Sequence, residues 1–542
     1  MAVDTRSEAT TSGPRRSRLR ALRLLVRHPW LLTAAASAVL LALPPTGGDL
    51  AAQEFYAWLF RAHPTAVWND YWYGGHLLGG YSLLYPPLAG LLGARLVGAL
   101  AAVAAATAAN TLFTEAAAGL GKGPRRAAQL ASAWFAVGVL QPFVVGQMPF
   151  IAGLAFGLGA LVAARRERPW WAAVAALAAS LSSPLVGAFL LMVALAWTVD
   201  AGLRRTAPLT AAVVGLVMAA GFGGGGWFPF PRSSLLSVLI FCVLGLALVR
   251  RGFRSFRLAL VLYGGAALVI CTFHNPVGGN VARLGALVGG PVAAAVLGAR
   301  NQWRALAVLA VPLAAWQLWP LGTAVDRSIG DPSSRPAYYA GLAGFLRTQD
   351  PGAGRVEVPS LRQHWEAYYI PRVFPIARGW ERQLDLRDNE VLYRPDLTPE
   401  ALHDWLVANG VGLVALPDAP LDYWSRREGQ LVAAGQPWLT PVWSDAHWRV
   451  WRVADSTGLA GNGARLTRLD VDSFAVSVDQ LGASVVRIHW NPFWEVSAGL
   501  ACLRKSPDGW TTVVAAGPGS IEVRAEWTIS AAVRQPDRVG CD

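Results

Sequence analysis

The sequence predicts a polytopic α-helical membrane protein with a polar C-terminal region, and three observations support this. The chain has 542 residues, of which 54% are hydrophobic and only 15% are charged, whereas soluble domains carry about a quarter charged residues. Only eight of its 34 acidic residues precede residue 326. Short basic segments separate the apolar runs of that first part, which is typical of a chain that crosses a membrane many times.

Eleven apolar segments are close to the length of roughly 20 residues that a helix needs to cross a bilayer. They lie at 26–43, 92–118, 127–144, 147–164, 170–183, 185–201, 208–224, 233–250, 255–272, 281–298 and 303–320. We therefore expect about 11 transmembrane helices within residues 26–325. A basic tail at residues 1–25 precedes them.

Basic loops alternate with less charged loops along this part of the chain. The basic ones include GKGPRR, RRER, GLRR, RRGFRSFR and ARNQWR. Because cations favour the cytoplasmic side of a membrane, the alternation predicts a multi-pass protein of the plasma membrane with a cytoplasmic N-terminus and an extracytoplasmic C-terminal region. The net charge of +13 is then a membrane signal, and no nucleic-acid partner is expected.

The C-terminal region is predicted to form two subdomains outside the membrane. Residues 326–455 alternate helical stretches with short strands, which indicates an α/β subdomain. Residues 456–542 contain alternating strands separated by turn residues, which indicates a small β-sandwich. Cys502 and Cys541 both fall in this portion, where a disulfide is possible. No cysteine spacing typical of a metal site is present.

The first extracytoplasmic loop, residues 44–87, contains the acids that this topology leaves on the outer face of the membrane domain. These are Asp49, Glu54 and Asp70. Asp49 directly precedes a predicted amphipathic helix at 50–62, so it is a candidate for catalysis or binding, or it merely caps that helix. Asp70 is a secondary candidate, because Asn-Asp also suits a turn. Glu54 lies on the helix and is equally compatible with a solvated face.

Aromatic and histidine side chains accompany these acids in the loop. Flat rings beside carboxylates are one way in which proteins hold sugars, which makes Glu54 and the loop rings candidates for binding a sugar or an acceptor. The candidate rings are Trp68, Trp72, Tyr73 and His76. The alternative is an aromatic belt at the lipid headgroups.

The loop motif carries a family resemblance. A first span ending in Gly-Asp, an interfacial helix, and then W-N-x-Y-W-x-G-G-H-x-L-x-x-Y with Y-P-P resembles the first loop of GT-C type membrane glycosyltransferases. The similarity is strongest to the bacterial branch called YfhO-like or pyruvoyl-tetrahydropterin-synthase-related. VGQMPF and SSPLVGAF are similar to the same group, so the resemblance covers residues 26 to 325. HWEAYYIPRVFPIARGWERQLD resembles actinobacterial membrane proteins of unknown function.

The resemblance implies a transferase that takes a sugar from a polyprenyl-phosphate donor in the bilayer. An Asp in this loop acts in that family as the general base on the acceptor hydroxyl, and Asp49 occupies the matching position. The implied partners are the lipid-linked donor, the lipid bilayer and an envelope acceptor that is a lipid, a glycan or a protein. No cofactor is certain, a divalent cation is possible, and no metal ligand is predicted.

Such a reaction also needs cations that stabilise the departing phosphate. Four side chains predicted near the outer boundary are candidates, and arginine suits the role because it pairs with phosphate in a bidentate way. They are Arg283, Arg95, His274 and Arg232. The alternative for the arginines is that they reach towards lipid headgroups.

A polar-aromatic cluster in the C-terminal region is a further candidate for acceptor binding. It comprises Trp365, Glu366, Tyr368, Trp380 and Glu381. Packing within the region, or against the membrane domain, is the simpler interpretation of these residues.

Two other functions remain open at the level of sequence. A transporter or flippase of an envelope precursor would place ionisable groups near the middle of its spans, and the predicted spans from 127 to 320 have carboxylates only near their ends. A non-catalytic membrane scaffold with a glycan-binding outer domain fits if Asp49 is only a cap.

Overall fold

A computed structural model describes residues 27–221, 225–249, 252–461 and 463–541. The predicted basic tail at 1–25 therefore lies outside the described residues. So do residue 26 at the start of the first predicted span, residues 222–224 at the end of another, and residue 250 at the end of a third.

A helical region occupies the chain up to residue 328. Its helices are α1 (Trp30–Ala42), α2 (Asp49–Ala62), α3 (Tyr85–Leu92), α4 (Ala94–Ala116), α5 (Lys122–Gly138), α6 (Leu140–Val145), α7 (Met148–Arg165), α8 (Pro169–Ser182), α9 (Pro184–Ala201), α10 (Leu203–Thr206), α11 (Ala212–Gly221), α12 (Arg232–Leu248), α13 (Arg254–Ile270), α14 (Ala282–Ala299) and α15 (Trp303–Ser328). Each of the eleven predicted spans overlaps at least one of these helices.

Among the described residues, seven helical runs are long and apolar enough to cross a membrane, and three shorter apolar helices accompany them. The seven are Ala94–Ala116, Lys122–Val145, Met148–Arg165, Pro184–Ala201, Leu203–Gly221, Gly278–Ala299 and Trp303–Ser328; the three are Trp30–Ala42, Pro169–Ser182 and Arg232–Leu248. The chain is thus a multi-pass helical membrane protein with a β-rich C-terminal region, which confirms the predicted fold class.

Small residues and prolines set the geometry of the helical region. Prolines are the first residues of α8 and α9. Their missing N–H does not weaken these helices, because the first N–H groups of a helix have no acceptor within it. Between those helices Ser183 is extended, so the chain turns back sharply. Gly153 of α7 lies so close to α8 that an added Cβ would be 3.0 Å from the Ala179 carbonyl oxygen, which is the close backbone approach that small residues allow between membrane helices.

An α/β unit follows the last long helix. It comprises α16 (Ala340–Leu346), β3 (Arg355–Glu357), α17 (Glu366–Tyr369), α18 (Arg382–Asp388), α19 (Pro399–Ala408), β4 (Val411–Pro417), α20 (Arg426–Ala433), β5 (Leu439–Ser444) and β6 (Trp448–Val453); β1 and β2 lie earlier, in the first loop. Its sheet has the order β3-β4-β6-β5, and only β3 runs parallel to its neighbour.

Arg378 ties this unit together from the inside. Its Nε donates to a Glu357 oxygen at 2.9 Å and its Nη2 to a Glu428 oxygen at 3.0 Å, while Asp385 lies 3.6 Å from Nη1. All four side chains are buried. A buried cation surrounded by hydrogen-bonded carboxylates holds its neighbours in one arrangement, because any broken pair leaves an uncompensated charge.

A β-sandwich forms the end of the chain. Its strands are β7 (Ala464–Leu469), β8 (Ser473–Val478), β9 (Gly482–His489), β10 (Trp494–Ala498), β11 (Ala501–Lys505), β12 (Trp510–Ala515), β13 (Gly519–Ala525) and β14 (Arg538–Val539), with a short helix α21 (Ile529–Arg534) before the last. The two sheets have the orders β10-β13-β8-β7 and β14-β11-β12-β9. A disulfide joins Cys502 to Cys541.

The first loop packs against both parts of the C-terminal region. Within the loop, β1 (Trp68–Asn69) pairs with β2 (His76–Leu77). The Asp70 amide donates to the Val471 carbonyl at 2.8 Å, and the Gly74 carbonyl accepts from the His489 amide at 2.7 Å. The Tyr71 carbonyl accepts from the Ile376 amide at 3.2 Å. The loop is therefore a structural link between the helices and the C-terminal region.

Trp72 is the centre of that link. Its side chain is fully buried, its Nε1 donates to the Ala367 carbonyl at 3.1 Å, and its ring stacks on Phe55 with centroids 4.2 Å apart. Gly379 also packs against the indole, since an added Cβ there would be 2.3 Å from Trp72 Cδ2. A glycine is required there because the indole fills the space of any side chain.

We expect Gly379→Ala to lower the stability of the purified protein, because the methyl group must displace the buried indole; overpacking of this kind costs about 1–3 kcal/mol. The measurement is the thermal unfolding midpoint in detergent. Gly344→Ala is the matched control, since an added Cβ there meets nothing within 4 Å. Equal midpoints for the two variants would contradict the tight packing around Trp72.

Candidate functional site

One face of α2 points polar groups towards a single region. Asp49 is the first residue of the helix, and Gln53 and Tyr56 follow it by one and two turns. At 3.6 residues per turn these three positions share a face. Glu54, five positions after Asp49, is rotated by about 140° from it and points elsewhere.

Asp49 does not bond the amides that a capping residue would bond. The helix is preceded by Gly48, without a side-chain cap, and within the described part of the chain no backbone amide donates to the Asp49 carboxylate. The side chain is partly exposed. Its carboxylate is thus available to a ligand.

Two glycines fix the position at which α2 begins. An added Cβ at Gly47 would be 2.2 Å from the Val145 carbonyl oxygen, and one at Gly146 would be 2.4 Å from the Leu50 amide nitrogen. Both glycines have a positive φ, +86° and +94°, which residues with side chains rarely adopt. The Thr46 hydroxyl also donates to the Val144 carbonyl at 3.1 Å. Asp49 is therefore held by backbone packing between two segments.

Tyr81 marks the point where charged groups from separate elements come together. Burial raises the pKa of Tyr81 to about 12, the negative charges of Asp49 and Glu381 act in the same direction, and the positive charge and hydrogen bonding of Arg283 oppose them. Arg283, the second residue of α14, also lies over the Phe150 ring at 5.6 Å. The charges of two carboxylates and one guanidinium therefore all affect the pKa of the Tyr81 hydroxyl.

Asp49 and Arg283 do not neutralise each other. Within the described residues, neither side chain forms an ion pair within 4.0 Å with any partner. Glu115 and Glu167, by contrast, pair with Arg166 and Arg205. Both charges are therefore without an ion-pair partner among the described residues, although both act on the Tyr81 hydroxyl.

Glu381 enters this region from the C-terminal side. Its Oε1 accepts a hydrogen bond from the Tyr56 hydroxyl. The Tyr73 hydroxyl accepts from the Glu381 amide at 2.9 Å and lies 3.3 Å from its carbonyl oxygen. Burial raises the pKa of Glu381 to about 7, while the Tyr56 hydrogen bond and the charge of Arg387 oppose the shift.

The segment Trp380–Gln383 also contacts two other loops of the helical region. The Gln383 carbonyl accepts from the Trp227 amide at 3.3 Å, and its side-chain amide donates to the Pro276 carbonyl at 3.4 Å. An added Cβ at Gly226 would be 2.2 Å from the Gln383 carbonyl oxygen. Glu381 is thus placed by contacts on both sides of it.

Asp70 has a different environment. It is fully buried, and its Oδ1 accepts from Trp68 Nε1 at 2.6 Å. Burial raises its pKa well above the usual range, against the Trp68 hydrogen bond and the charge of Arg355. These contacts lie among the loop and the C-terminal region and favour a structural role; a role for Asp70 as base stays a prediction.

The predicted sugar-binding rings are buried. Trp68 packs on Trp494 of the β-sandwich with centroids 5.7 Å apart, and Trp72 and Tyr73 are at most 3% exposed. His76 is 5% exposed, and burial lowers its pKa to about 4, so its ring is neutral at pH 7. All four are packed against protein, and a sugar contact at any of them stays a prediction.

Glu54 and Arg95 lie near each other. Burial raises the pKa of Glu54, and the charges of Arg61 and Arg95 oppose this. The Arg95 guanidinium donates to the carbonyl of Leu40 and, at 3.0 Å, to that of Leu43. Those carbonyls end α1, where helices lack internal donors, so Arg95 is engaged in capping a helix.

Arg232 and His274 are both exposed. Arg232 opens α12, and the His274 ring packs on Trp227 with centroids 4.7 Å apart. Trp227 is the residue that contacts Gln383, so His274 borders the segment that carries Glu381. Of the four predicted phosphate-binding side chains, the structure brings Arg283 to the charges around Tyr81.

An apolar groove runs between α12, α14 and α15. Its volume is about 260 Å³, and Phe241, Gly289 and Trp316 are among its lining residues. Gly289 follows Arg283 by six residues on α14, which corresponds to about 9 Å along the helix axis. At 100° per residue Gly289 is also rotated by about 120° from Arg283 around the helix axis, so the groove and the guanidinium lie on different faces of α14.

The sequence interpretation did not select Tyr56 or Tyr81, and it favoured packing for Glu381. The spacing of Asp49, Gln53 and Tyr56 on one helix face was a signal that could have found Tyr56. Tyr81 ends the loop motif W-N-x-Y-W-x-G-G-H-x-L-x-x-Y, but nothing in the sequence related it to Glu381, which lies 300 residues later. Among the described residues, no three His, Cys, Asp or Glu side chains lie together as a metal-binding group.

Comparisons with known proteins find similarity only among solved structures. No protein-family model and no curated protein matches the chain. The arabinofuranosyltransferase AftD from Mycobacteria is similar over 83% of this chain and 42% of its own, with 17% identity and a TM-score of 0.44. ArnT from Cupriavidus metallidurans, in the apo state, is similar over 81% of this chain and 99% of its own, with 15% identity and a TM-score of 0.37. The chain thus spans less than half the length of AftD, and we interpret the site from its own residues.

His364 packs against the residue that precedes α2. An added Cβ at Gly48 would be 3.0 Å from His364 Cδ2, and the buried ring stacks on Trp380. Its Nδ1 lies 3.6 Å from a Glu366 oxygen and its Nε2 3.6 Å from an Asp422 oxygen. Burial opposes protonation of His364, but the nearby Asp422 and Glu366 carboxylates outweigh it and raise the pKa.

We expect His364 to make stability depend on pH. Because its folded-state pKa is raised, its contribution is complete below about pH 6.5, the usual value for histidine, and is lost as pH rises through the folded-state pKa. The unfolding midpoint of the unmodified protein should therefore fall more between about pH 6 and pH 9 than that of His364→Gln. His447→Gln, at an exposed histidine that pairs with Asp418, is the control. Parallel curves for the unmodified protein and His364→Gln would contradict the charged pairing.

Proposed function

We propose that this chain is a membrane glycosyltransferase that moves a sugar from a polyprenyl-phosphate donor to an acceptor on the outer face of the membrane. The observation that carries the proposal is that Asp49, held at the start of α2, and Arg283, at the start of α14, both influence the Tyr81 hydroxyl, while neither has an ion-pair partner among the described residues. A transferase of this kind needs one base for the acceptor and one cation for the phosphate, held apart from each other. The loop motif that resembles GT-C type enzymes supports the same assignment.

Asp49 is the proposed general base. The acceptor hydroxyl oxygen forms a bond to the anomeric carbon of the sugar, and the bond from that carbon to the phosphate oxygen breaks with its electron pair on the phosphate. Asp49 takes the proton of the attacking hydroxyl. One base and a good leaving group are sufficient for a direct displacement with inversion, which is the outcome we propose.

Arg283 is the proposed phosphate contact. A guanidinium offers paired N–H groups that match phosphate oxygens, and it stabilises the charge that builds up as the donor bond breaks. Arg283 has no acidic partner within ion-pair distance among the described residues, whereas Arg95 is engaged by the carbonyls of α1. Arg232 and His274 are proposed as outer contacts of the phosphate.

The apolar groove on α14 fits the lipid part of this donor. It is lined almost entirely by apolar side chains and begins about 9 Å along the helix from Arg283. We propose that the polyprenyl chain lies in this groove and passes around α14 to bring its phosphate to the guanidinium. No described contact favours a carrier, because Glu115 and Glu167 lie near helix ends and pair with exposed arginines.

We expect Asp49→Asn to abolish transfer while the protein accumulates normally. Removing a general base lowers a rate by about 10²- to 10⁴-fold. The test complements a deletion strain with the variant and measures its surface glycans and lipid-linked sugars by mass spectrometry. Asp396→Asn, at an exposed acid in the C-terminal region, is the control and should restore the glycans. Full restoration by Asp49→Asn would overturn the proposed function.

We expect Arg283→Gln to weaken the binding of undecaprenyl phosphate to the purified chain. The variant loses hydrogen bonds to the charged phosphate, so its affinity should be roughly 10- to 100-fold lower. Binding is measured by tryptophan fluorescence in nanodiscs. Arg304→Gln is the matched control, because Arg304 is also the second residue of a long helix and is exposed without a described partner. Equal affinities of the two variants would remove Arg283 from the phosphate site.

A further inference from the structure

We propose that Glu381, a residue of the C-terminal region, is the second carboxylate of this site and binds a hydroxyl group of a glycan acceptor. The inference rests on the proposed function and deepens it, because two separate carboxylates at one site recognise two hydroxyl groups. The acceptor is then a sugar or another polyol rather than a lipid with a single hydroxyl.

The backbone around Glu381 is fixed on both sides. Arg378, three residues before it, and Asp385, four residues after it, belong to the same buried ionic network. Gln383 is held by the Trp227 amide and the Pro276 carbonyl. The Tyr73 hydroxyl bonds the amide of Glu381 itself at 2.9 Å. A side chain on such a segment is pre-positioned, which is what a substrate contact requires.

One oxygen of the Glu381 carboxyl is occupied and the other is free. Oε1 accepts from the Tyr56 hydroxyl. Oε2 has no hydrogen-bond partner among the described residues and is not one of the atoms sealed from solvent. Tyr56 is 8% exposed, so a buried hydroxyl holds Oε1 and leaves Oε2 without a described protein donor.

Glu381 reaches the same face of α2 as Asp49, because Tyr56, which donates to its Oε1, follows Asp49 by two turns on that helix. Both negative charges act on the Tyr81 hydroxyl, although one carboxylate comes from α2 and the other from the C-terminal region. With Asp49 receiving the proton of the attacking hydroxyl, Oε2 of Glu381 accepts a hydrogen bond from a neighbouring hydroxyl of the acceptor. No proton is transferred to Glu381 in this role.

The role requires the ionised form of Glu381, so the rate of transfer should depend on the pKa of Glu381. Burial raises the pKa of Glu381 to about 7, and the Tyr56 hydrogen bond works against that rise. Transfer should therefore decline as pH falls below about 7. Removing the Tyr56 hydroxyl takes away the opposing effect, so the decline in Tyr56→Phe should begin at a higher pH.

The experiment uses the full chain in nanodiscs. The probe is a glycolipid extract from a strain that lacks the chain, because this extract contains unconsumed donor and acceptor. Release of polyprenyl phosphate is followed by mass spectrometry across pH. For Glu381→Gln we expect the decline near pH 7 to disappear. When the extract is limiting, the rate of Glu381→Gln at high pH should be roughly 10- to 100-fold below that of the unmodified protein, because a hydrogen bond to a charged group is lost. When the extract is saturating, the fall in rate should be smaller.

Tyr56→Phe and Glu381→Asp separate a substrate contact from a structural role. Tyr56→Phe should move the decline to higher pH, and Glu381→Asp should recover part of the rate. Glu390→Gln is the matched control at an exposed glutamate of the same region, and it should leave both rate and profile unchanged. The role of Glu381 would be overturned if Glu381→Gln and Tyr56→Phe kept the pH dependence of the unmodified protein. It would also be overturned if the rate of Glu381→Gln fell equally at limiting and at saturating extract.

Failure of this inference is distinct from failure of the proposed function. If Asp49→Asn abolishes release and Glu381→Gln keeps the profile of the unmodified protein, the transferase assignment stands and the role of Glu381 is wrong. If Asp49→Asn releases polyprenyl phosphate at the full rate, the transferase assignment fails first, and the inference about Glu381 fails with it.

Discussion

The burial of Trp72 between the helical region and the C-terminal region is the contact on which the candidate site depends. The indole fills the space that Gly379 leaves open, stacks on Phe55 of α2 and donates to the Ala367 carbonyl. Tyr73, the next residue, bonds the backbone of Glu381. A single buried ring therefore sets the distance between the helix that carries Asp49 and the segment that carries Glu381.

Two kinds of charged cluster lie close to this contact, and they differ in whether their charges are paired. Arg378 donates hydrogen bonds to Glu357 and Glu428 and lies 3.6 Å from Asp385, and this buried network serves to fix the backbone. Around Tyr81 the acid and the base stay apart. Asp49 and Arg283 have no ion-pair partner among the described residues, which is why we propose that the chemistry takes place there.

The acids of the first loop show how far sequence reasoning could go. Topology alone reduced the outward acids to Asp49, Glu54 and Asp70, and the helix that follows Asp49 was expected almost residue for residue. Their environments were not predictable: Asp70 is enclosed by Trp68 and the C-terminal region, while Asp49 keeps its carboxylate free of backbone amides. The predicted sugar-binding rings likewise could not be distinguished from packing rings, because both uses favour the same residue types.

The sequence by itself determined the membrane-spanning character of the chain and its β-rich C-terminal region, and it made Asp49 and Arg283 candidates. These follow from local composition and periodicity, which need no knowledge of distant contacts. Only the tertiary structure decided that Tyr81 lies among both charges and that Glu381 joins them across more than three hundred residues of chain. Such meetings depend on how Trp72, Gly379 and the Arg378 network pack, and packing between distant segments leaves no periodic pattern in a single sequence.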